Sequence, residues 1–335
     1  MRHGVVNFLK PPGMTSHDAV SFVRRVANNK RVGHTGTLDP AAAGVLAICV
    51  GQATRLVEYL QAGRKTYLAE ITFGTETDTH DAIGNVVSEG DASHVNLETL
   101  RRVLDQFRGR IQQTPPIFSA IKIDGQKLYD LARAGVEESE IEIAAREVEI
   151  HALVVTRFLS STRSDQKPRA MLRIECGSGT YIRSLVRDIG RALGCGATMT
   201  FLVRTQNGAF DIDEAWTPEQ IESDFASALL PMKQVFAPFT CAIVENDQFV
   251  EKLSKGQNAQ ANSIEEVRSV LFQKQPYLLQ QFEKQADVYL IPRLAWRRPA
   301  TTKVAFHNSD ATIFVLADSA GLLYKPEKVF YLDRD

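Results

Sequence analysis

Hydrophobic and polar positions divide the first two thirds of the chain into short, well-marked elements. The apolar stretch GVVNFL (4–9) predicts a strand, and Pro11, Pro12 and Gly13 stop any ladder after it. Ser16 is the expected N-cap of a helix over HDAVSFVRRVAN, with Val20, Phe22, Val23 and Val26 on its buried face. After the loop GHTGTLDP (33–40), the run VLAICVG reads as a buried strand closed by Gly51. ATRLVEYLQAG reads as a helix stopped by Gly63. In KTYLAEITFG, Tyr67, Ala69, Ile71 and Phe73 share one strand face, and Leu68, Glu70 and Thr72 the other. NLETLRRVLDQFRG predicts a helix capped by Asn96 and ended by Gly109. IFSAIKIDGQKLYDLARAG reads as strand, Asp-Gly turn and short helix. REVEIHALVVTRF and RAMLRIEC form a hairpin pattern. Ile182, Leu185, Val186, Ile189 and Leu193 follow helical spacing, with Arg183, Arg187 and Arg191 as a second stripe, before a strand over MTFLVRTQNGAF.

This alternation predicts an α+β fold: a mixed, largely antiparallel sheet flanked by helices. A boundary is expected near Val235–Pro238, with a small β-rich part beyond it. Residues 258–300 read as a partly helical insertion to which the pattern gives no function.

The 335 residues, 44% hydrophobic and 24% charged, suit one sizeable domain with a smaller one. No apolar run is long enough for a transmembrane helix. The start lacks the pattern of a signal peptide, so the chain reads as cytoplasmic. Cys49, Cys176, Cys195 and Cys241 form no CxxC pair, so buried free thiols are expected rather than a zinc or redox site. The net charge of −1 is unevenly spread: residues 1–65 carry nine basic side chains against three acids, and residues 76–98 are acidic. A basic face of this kind fits either a polyanion partner or ordinary solvated surface.

The chemistry narrows by exclusion. GHTGTLDP lacks the Lys-Ser/Thr of a P-loop, and neither HExxH nor Gly-x-Ser-x-Gly occurs. Asp78, His80 and Asp81 in TDTHDAIG read as an acidic turn. Asp39, before Pro40, has the form of a helix N-cap with proline at the first helical position. A carboxylate held by a tight loop is also rigid enough to serve as a nucleophile, and the two uses are compatible. Tyr67 suits either a core position or a stacking platform for a base. Arg183 and its stripe suit solvent, phosphates or a carboxylate partner, and spacing does not choose among these.

These residues lie inside longer blocks. GHTGTLDPAAAGVLAICVGQATRLVEYL resembles the signature of the TruB pseudouridine synthases. GVVNFLKPPGMTSHDAV, KTYLAEITFGTETDTHDAIGNVV, TPPIFSAIKIDGQKLYDLARAG and CGSGTYIRSLVRDIGRALGCGATMTFLVRTQNGAF resemble the family's other motifs, in family order across most of residues 4–210. The C-terminal part is similar to the family's PUA-like module at EKLSKGQ and GLLYKPEKVFYL, and the insertion departs from that pattern. The resemblance implies a pseudouridine synthase domain over 1–235, with an RNA-gripping insertion at 124–145, and a PUA-like domain over 236–335. It implies isomerisation of uridine 55 in the tRNA T-arm after base flipping. No metal or organic cofactor, no membrane and no protein partner are implied, and a monomer is expected. Asp39 matches the essential aspartate, Tyr67 the tyrosine that stacks on the target base, and Arg183 the arginine that keeps that aspartate ionised and oriented. Tyr181 and Leu202 match positions lining the base pocket. His34 matches a residue filling the space of the flipped base, and Lys10 and Pro11 support the pocket floor. A guide-RNA-dependent synthase and a tRNA-folding chaperone are the alternatives. GQKLYDLARAGVE favours the stand-alone enzyme over the first, and Asp39, Tyr67 and Arg183 favour catalysis over the second.

Overall fold

The structure is a computed structural model that describes residues 2–119, 121–123, 125–136, 140–160, 167–235, 240–243, 247–260, 302–307, 313–320 and 323–331. Strand β1 (Gly4–Lys10) leads through helix α1 (Ser16–Val26) to β2 (Val32–His34) and β3 (Ala43–Val50). A 3-10 segment, Gly51–Leu56, runs into α2 (Val57–Gln61), and β4 (Lys65–Phe73) follows. The hairpin β5 (Thr75–Thr77) and β6 (Val86–Glu89) precedes α3 (Leu97–Leu104) and β7 (Gly109–Gln113). The short hairpin β8 (Lys122–Ile123) and β9 (Gln126–Lys127) enters α4 (Leu128–Arg133). The long hairpin β10 (Arg146–Leu159) and β11 (Arg169–Cys176) then leads to α5 (Ile182–Ala192) and β12 (Ala197–Asn207). β13 (Phe210–Asp211) and β14 (Leu229–Pro231) complete this part.

Ten of its strands form one sheet in the order β14-β1-β3-β12-β4-β11-β10-β7, with β2 beside β3 and β13 beside β12. Every pairing is antiparallel except β3 with β12. The expected α+β, largely antiparallel architecture is therefore present.

Burial explains the two kinds of strand pattern. β3 is apolar throughout because both its faces are covered. Leu46, Ile48 and Val50 join a core with Val20 and Val23 of α1, Leu100 of α3, and Leu185 and Ile189 of α5. Val45, Ala47 and Cys49 face the other way, onto Leu56, Tyr59, Leu60 and Met232. β4 is covered on one face only: Tyr67, Ala69, Ile71 and Phe73 are buried, and Leu68, Glu70 and Thr72 are partly exposed. Cys49, Cys176 and Cys195 are buried free thiols, and burial pushes the first two up to about 12 and about 11.

Two expectations about caps are corrected. Thr15, not Ser16, caps α1: it accepts from the Asp18 amide, and the Asp18 carboxylate accepts from the Thr15 amide at 3.0 Å. Asp39 starts no helix. Its carbonyl accepts from the Ala42 amide at 3.0 Å in a turn that runs into β3.

Beyond residue 239 the described segments form a second sheet, in the order Thr240–Ile243, Thr302–His307, Ile313–Ala320, Leu323–Tyr331, Ala259–Gln260. The expected boundary at Phe236–Pro238, Asp124 and residues 137–139 of the expected gripping insertion, and residues 261–300 of the other insertion lie outside the described residues.

Candidate active site

The β2–β3 connection carries Asp39, and four side chains from three other segments hold its backbone. Ser16 donates to the Leu38 carbonyl at 3.0 Å and accepts from the Leu38 amide at 2.9 Å. Asn207 donates to the Thr35 carbonyl and hydroxyl at 3.2 and 2.9 Å. Lys10 is fully buried and donates to the carbonyls of Pro11, Met14 and Pro40 at 2.9, 2.7 and 3.3 Å. Arg204, 1% exposed, donates to the carbonyls of Val45, Thr37 and Gly36 at 2.7, 3.3 and 3.1 Å. Backbone that would otherwise be a mobile glycine-rich loop is thus fixed from below.

The carboxylate is fixed from the side by α5. Arg183 Nε donates to Asp39 Oδ2 at 2.8 Å and Nη2 to Oδ1 at 3.1 Å, a bidentate pair. The rest of the guanidinium is occupied by the Thr79 carbonyl at 3.1 Å and the Phe118 carbonyl at 2.9 Å. Arg183 is 5% exposed and Asp39 32%, so the arginine is enclosed while the carboxylate keeps an open side. Of the three partners that spacing left open for Arg183, the structure selects the carboxylate.

A second carboxylate completes the arrangement. Asp81 Oδ2 lies 3.9 Å from Arg183 Nε. Its Oδ1 accepts from the Thr79 hydroxyl at 2.6 Å and the Ile83 amide at 3.2 Å. His80 is buried beside it in a left-handed conformation (φ 62°), and its Nε2 lies 3.4 Å from Arg187 Nη1. The stretch read as an acidic turn therefore turns two of its residues inward, onto the arginine stripe.

The remaining expected residues surround this pair. Tyr67 is buried on β4, cross-strand from Arg204, and burial raises its phenol above the ordinary value. Leu202 lies two residues along β12 from Arg204 and packs in the same core as Tyr67. Tyr181 precedes α5. Its amide donates to Gln113 Oε1 at 2.8 Å, and burial raises its phenol. His34 ends β2, half-buried, and burial and Arg204 lower its pKa, so it is neutral at pH 7. Pro11 contributes its carbonyl to Lys10. The residues that the sequence reading missed are Arg204, Asp81, His80 and Asn207. Arg204 does carry a signal, because it falls in phase with Leu202 on the buried face of β12.

The basic face expected of residues 1–65 is not one face. Lys10 and Lys65 are buried, and Lys65 donates to the carbonyls of Gln61 and Gly63 at 2.6 and 2.8 Å. Burial brings both lysines down to about 8. Arg25 pairs with Glu222 at 2.8 Å, Arg64 with Glu175 at 3.0 Å, and Arg55 donates to the Val329 carbonyl. On α5, Arg183 and Arg187 point inward and Arg191 pairs with Glu76 at 3.2 Å, so the stripe is not a phosphate rail.

Comparison with known proteins agrees with this geometry. Two tandem family matches run over residues 24–237: residues 24–182 to the TruB family pseudouridylate synthase N-terminal domain, and 183–237 to the tRNA pseudouridylate synthase B C-terminal domain. A tRNA pseudouridine synthase B of Symbiobacterium thermophilum is 50% identical over 228 residues, covering 68% of this chain and 74% of that one. One of Caldanaerobacter subterraneus is 48% identical over 219 residues, covering 65% and 74%. Among solved structures, a Cbf5-Nop10-Gar1 complex aligns with a TM-score of 0.65 at 23% identity, covering 98% of this chain and 85% of that chain. An H/ACA RNP bound to a substrate RNA containing 2′-deoxyuridine aligns at 0.63 with 21% identity, covering 98% and 84%, and both likenesses concern the fold alone. No helix among the described residues is long and apolar enough to cross a membrane. With the family's two domains matched in succession and half of the aligned residues shared with a relative across most of both chains, the chain belongs to the TruB family of pseudouridylate synthases.

Proposed function

We propose that this chain converts uridine 55 of the tRNA T-arm to pseudouridine, with Asp39 as the catalytic carboxylate. The observation that carries the reading is the Asp39–Arg183 pair: an enclosed bidentate guanidinium behind a carboxylate with one open side. Isomerisation breaks the bond from uracil N1 to C1′, turns the base, and joins C5 to C1′. N1 gains a proton and C5 loses one, so no net oxidant or reductant is required. Asp39 acts on the flipped nucleotide, either as nucleophile at C1′ or C6 or by taking a ribose proton. Extrusion of the base costs a few kcal/mol, offset by stacking on Tyr67 and by phosphate contacts. Tyr181 and Leu202 line the base pocket, and His34 fills the space the uridine leaves. Lys10 and Pro11 hold the floor. The five-stranded sheet serves as the small PUA-like domain, and the segment around β8, β9 and α4 grips the RNA.

The test is site-specific pseudouridine mapping on an unmodified tRNA transcript without guide RNA or other protein, for wild type and Asp39→Asn. Conversion at position 55 by wild type alone is the expected result, with tRNA affinity of the variant within about threefold of wild type because affinity is spread over phosphate contacts. Conversion only when a guide or partner is added indicates the guide-dependent class. RNA annealing by both proteins with no conversion indicates a chaperone. Equal loss of binding, folding and turnover in the variant makes Asp39 a structural residue.

A further inference from the structure

Arg204 is the largest fully buried side chain among the described residues. Burying a guanidinium is costly unless its charge is compensated, and an apolar side chain in phase with Leu202 would fill the same sheet position at lower cost. Among the described residues Arg204 forms no salt bridge. Its donors go to neutral acceptors, and these have one thing in common. Gly36 and Thr37, whose carbonyls it holds at 3.1 and 3.3 Å, lie just ahead of Asp39. Val45, held at 2.7 Å, lies in the strand that leaves the same loop. Tyr67 is its cross-strand partner on β4. The backbone of Arg204 is equally placed: it pairs with Gly44 on β3 and Tyr67 on β4, where β12 bridges its parallel and antiparallel neighbours.

From this geometry, and resting on the catalytic reading above, we propose that Arg204 is a positioning residue that clamps the backbone of the Asp39 loop. Arg183 holds the carboxylate end of Asp39, and Arg204 holds the peptide groups that lead into it. Pinning the carbonyls of Gly36 and Thr37 fixes the two peptide planes before Leu38, which Ser16 then holds through both its amide and its carbonyl. Asp39 therefore starts from a fixed backbone rather than from a loop average. Such a clamp matters to the reacting geometry and little to RNA affinity, because Arg204 is enclosed and touches no surface that RNA reaches.

Arg204→Lys keeps the charge and removes the planar set of donors. Arg204→Met keeps the length and removes both. Each is compared with wild type. The readouts are melting temperature, RNA affinity by fluorescence anisotropy, and the first-order conversion rate with enzyme in excess over a T-arm RNA. The expected result is a folded Arg204→Lys with affinity within about threefold of wild type and a conversion rate roughly 10- to 100-fold lower, the scale of a small misplacement of reacting groups. A folded Arg204→Lys that converts within about threefold of the wild-type rate overturns the proposal. Failure of both Arg204 variants to fold, or a parallel fall of affinity and rate, makes Arg204 a structural residue and also overturns it. If wild type converts, Asp39→Asn does not and Arg204→Lys is unaffected, the clamp alone fails. If wild type makes no pseudouridine, the catalytic reading fails and the clamp falls with it.

Discussion

Replacing Arg183 by lysine keeps a cation on α5 and removes the side-on geometry. The guanidinium makes four donations: two to Asp39, one to the Thr79 carbonyl and one to the Phe118 carbonyl. An ammonium is a single point with three protons, and it reaches one Asp39 oxygen at most together with one carbonyl. Two charge-assisted bonds are therefore lost, at about 1.5–3 kcal/mol each before relaxation. The open side of Asp39 lets water replace part of this, which brings the expected stability loss to about 2–4 kcal/mol. That is less than the total of roughly 5–15 kcal/mol of an ordinary domain, so the variant folds. Its turnover suffers more than its stability. With one anchor instead of two, the carboxylate rotates about its remaining bond, and a displacement of about 1 Å costs roughly 100-fold in rate. The assay is release of tritium from RNA carrying 5-tritiated uridine, with enzyme in excess, since C5 loses its hydrogen when it joins C1′. Because residue 183 stays cationic, the pH profile keeps its shape while the rate drops. A folded Arg183→Lys that converts within about threefold of wild type refutes the claim that the bidentate pair positions Asp39. A loss of rate accompanied by a displaced pH profile assigns the effect to charge instead.

Two further outcomes follow from groups beneath the loop. Gly44 has φ +111°, and a Cβ there would lie 2.2 Å from the Arg204 carbonyl oxygen, so Gly44→Ala is expected to cost roughly 3 kcal/mol or more in urea unfolding. Gly13→Ala, at φ +86° with nothing within 4 Å, is the control at about 1–2 kcal/mol, and equal costs would show that close packing at Gly44 does not matter. Burial lowers the pKa of Lys10 in the folded chain to about 8 from the ordinary lysine value of 10.5, so between these values the unfolded chain holds more protons and the contribution of Lys10 to stability rises with pH. The stability of wild type relative to Lys10→Gln is therefore expected to grow by roughly 1–2 kcal/mol from pH 7.5 to 9.5, and a flat difference would mean that Lys10 titrates as an exposed lysine.

The sheet was legible because its strands carry the two patterns that burial dictates. β4 alternates and is covered on one face, and β3 is apolar throughout and covered on both. Helix α5 was legible for the same reason, through Leu185, Val186 and Ile189. What spacing did not reveal is where polar side chains go once the chain has folded. Asp39-Pro40 has the local form of a helix start, yet tertiary contacts from Ser16, Lys10, Arg183 and Arg204 bend it into a turn. Asp81 looks like one acid among several in TDTHDAIG, and only the left-handed backbone at His80 shows why it turns inward. The excess of positive charge in residues 1–65 suggested a surface, whereas two of its lysines lie beneath the catalytic loop. A count of charges along the chain carries no information about which side of the backbone they occupy.

The buried lysines also bear on the electrostatics of the proposed site. Lys10, Lys65 and Arg204 are all enclosed, and each is satisfied by backbone carbonyls rather than by a carboxylate among the described residues. A carboxylate partner would make each cation cheaper to bury, but it would also cancel its field. Neutral acceptors solvate the charges and leave the field in place. The coupling is visible in Lys10, where Asp39 favours the charged form and Arg204 opposes it. Arg183 adds a fourth cation, shared between Asp39 and Asp81. Enclosing these cations costs folding energy that an apolar floor would not. In the proposed reaction that cost has a use, because a uracil leaving C1′ with the electrons of the glycosidic bond would meet preorganised positive charge that need not reorganise around it. The groups that hold the Asp39 loop would then also suit the charge that the proposed reaction creates.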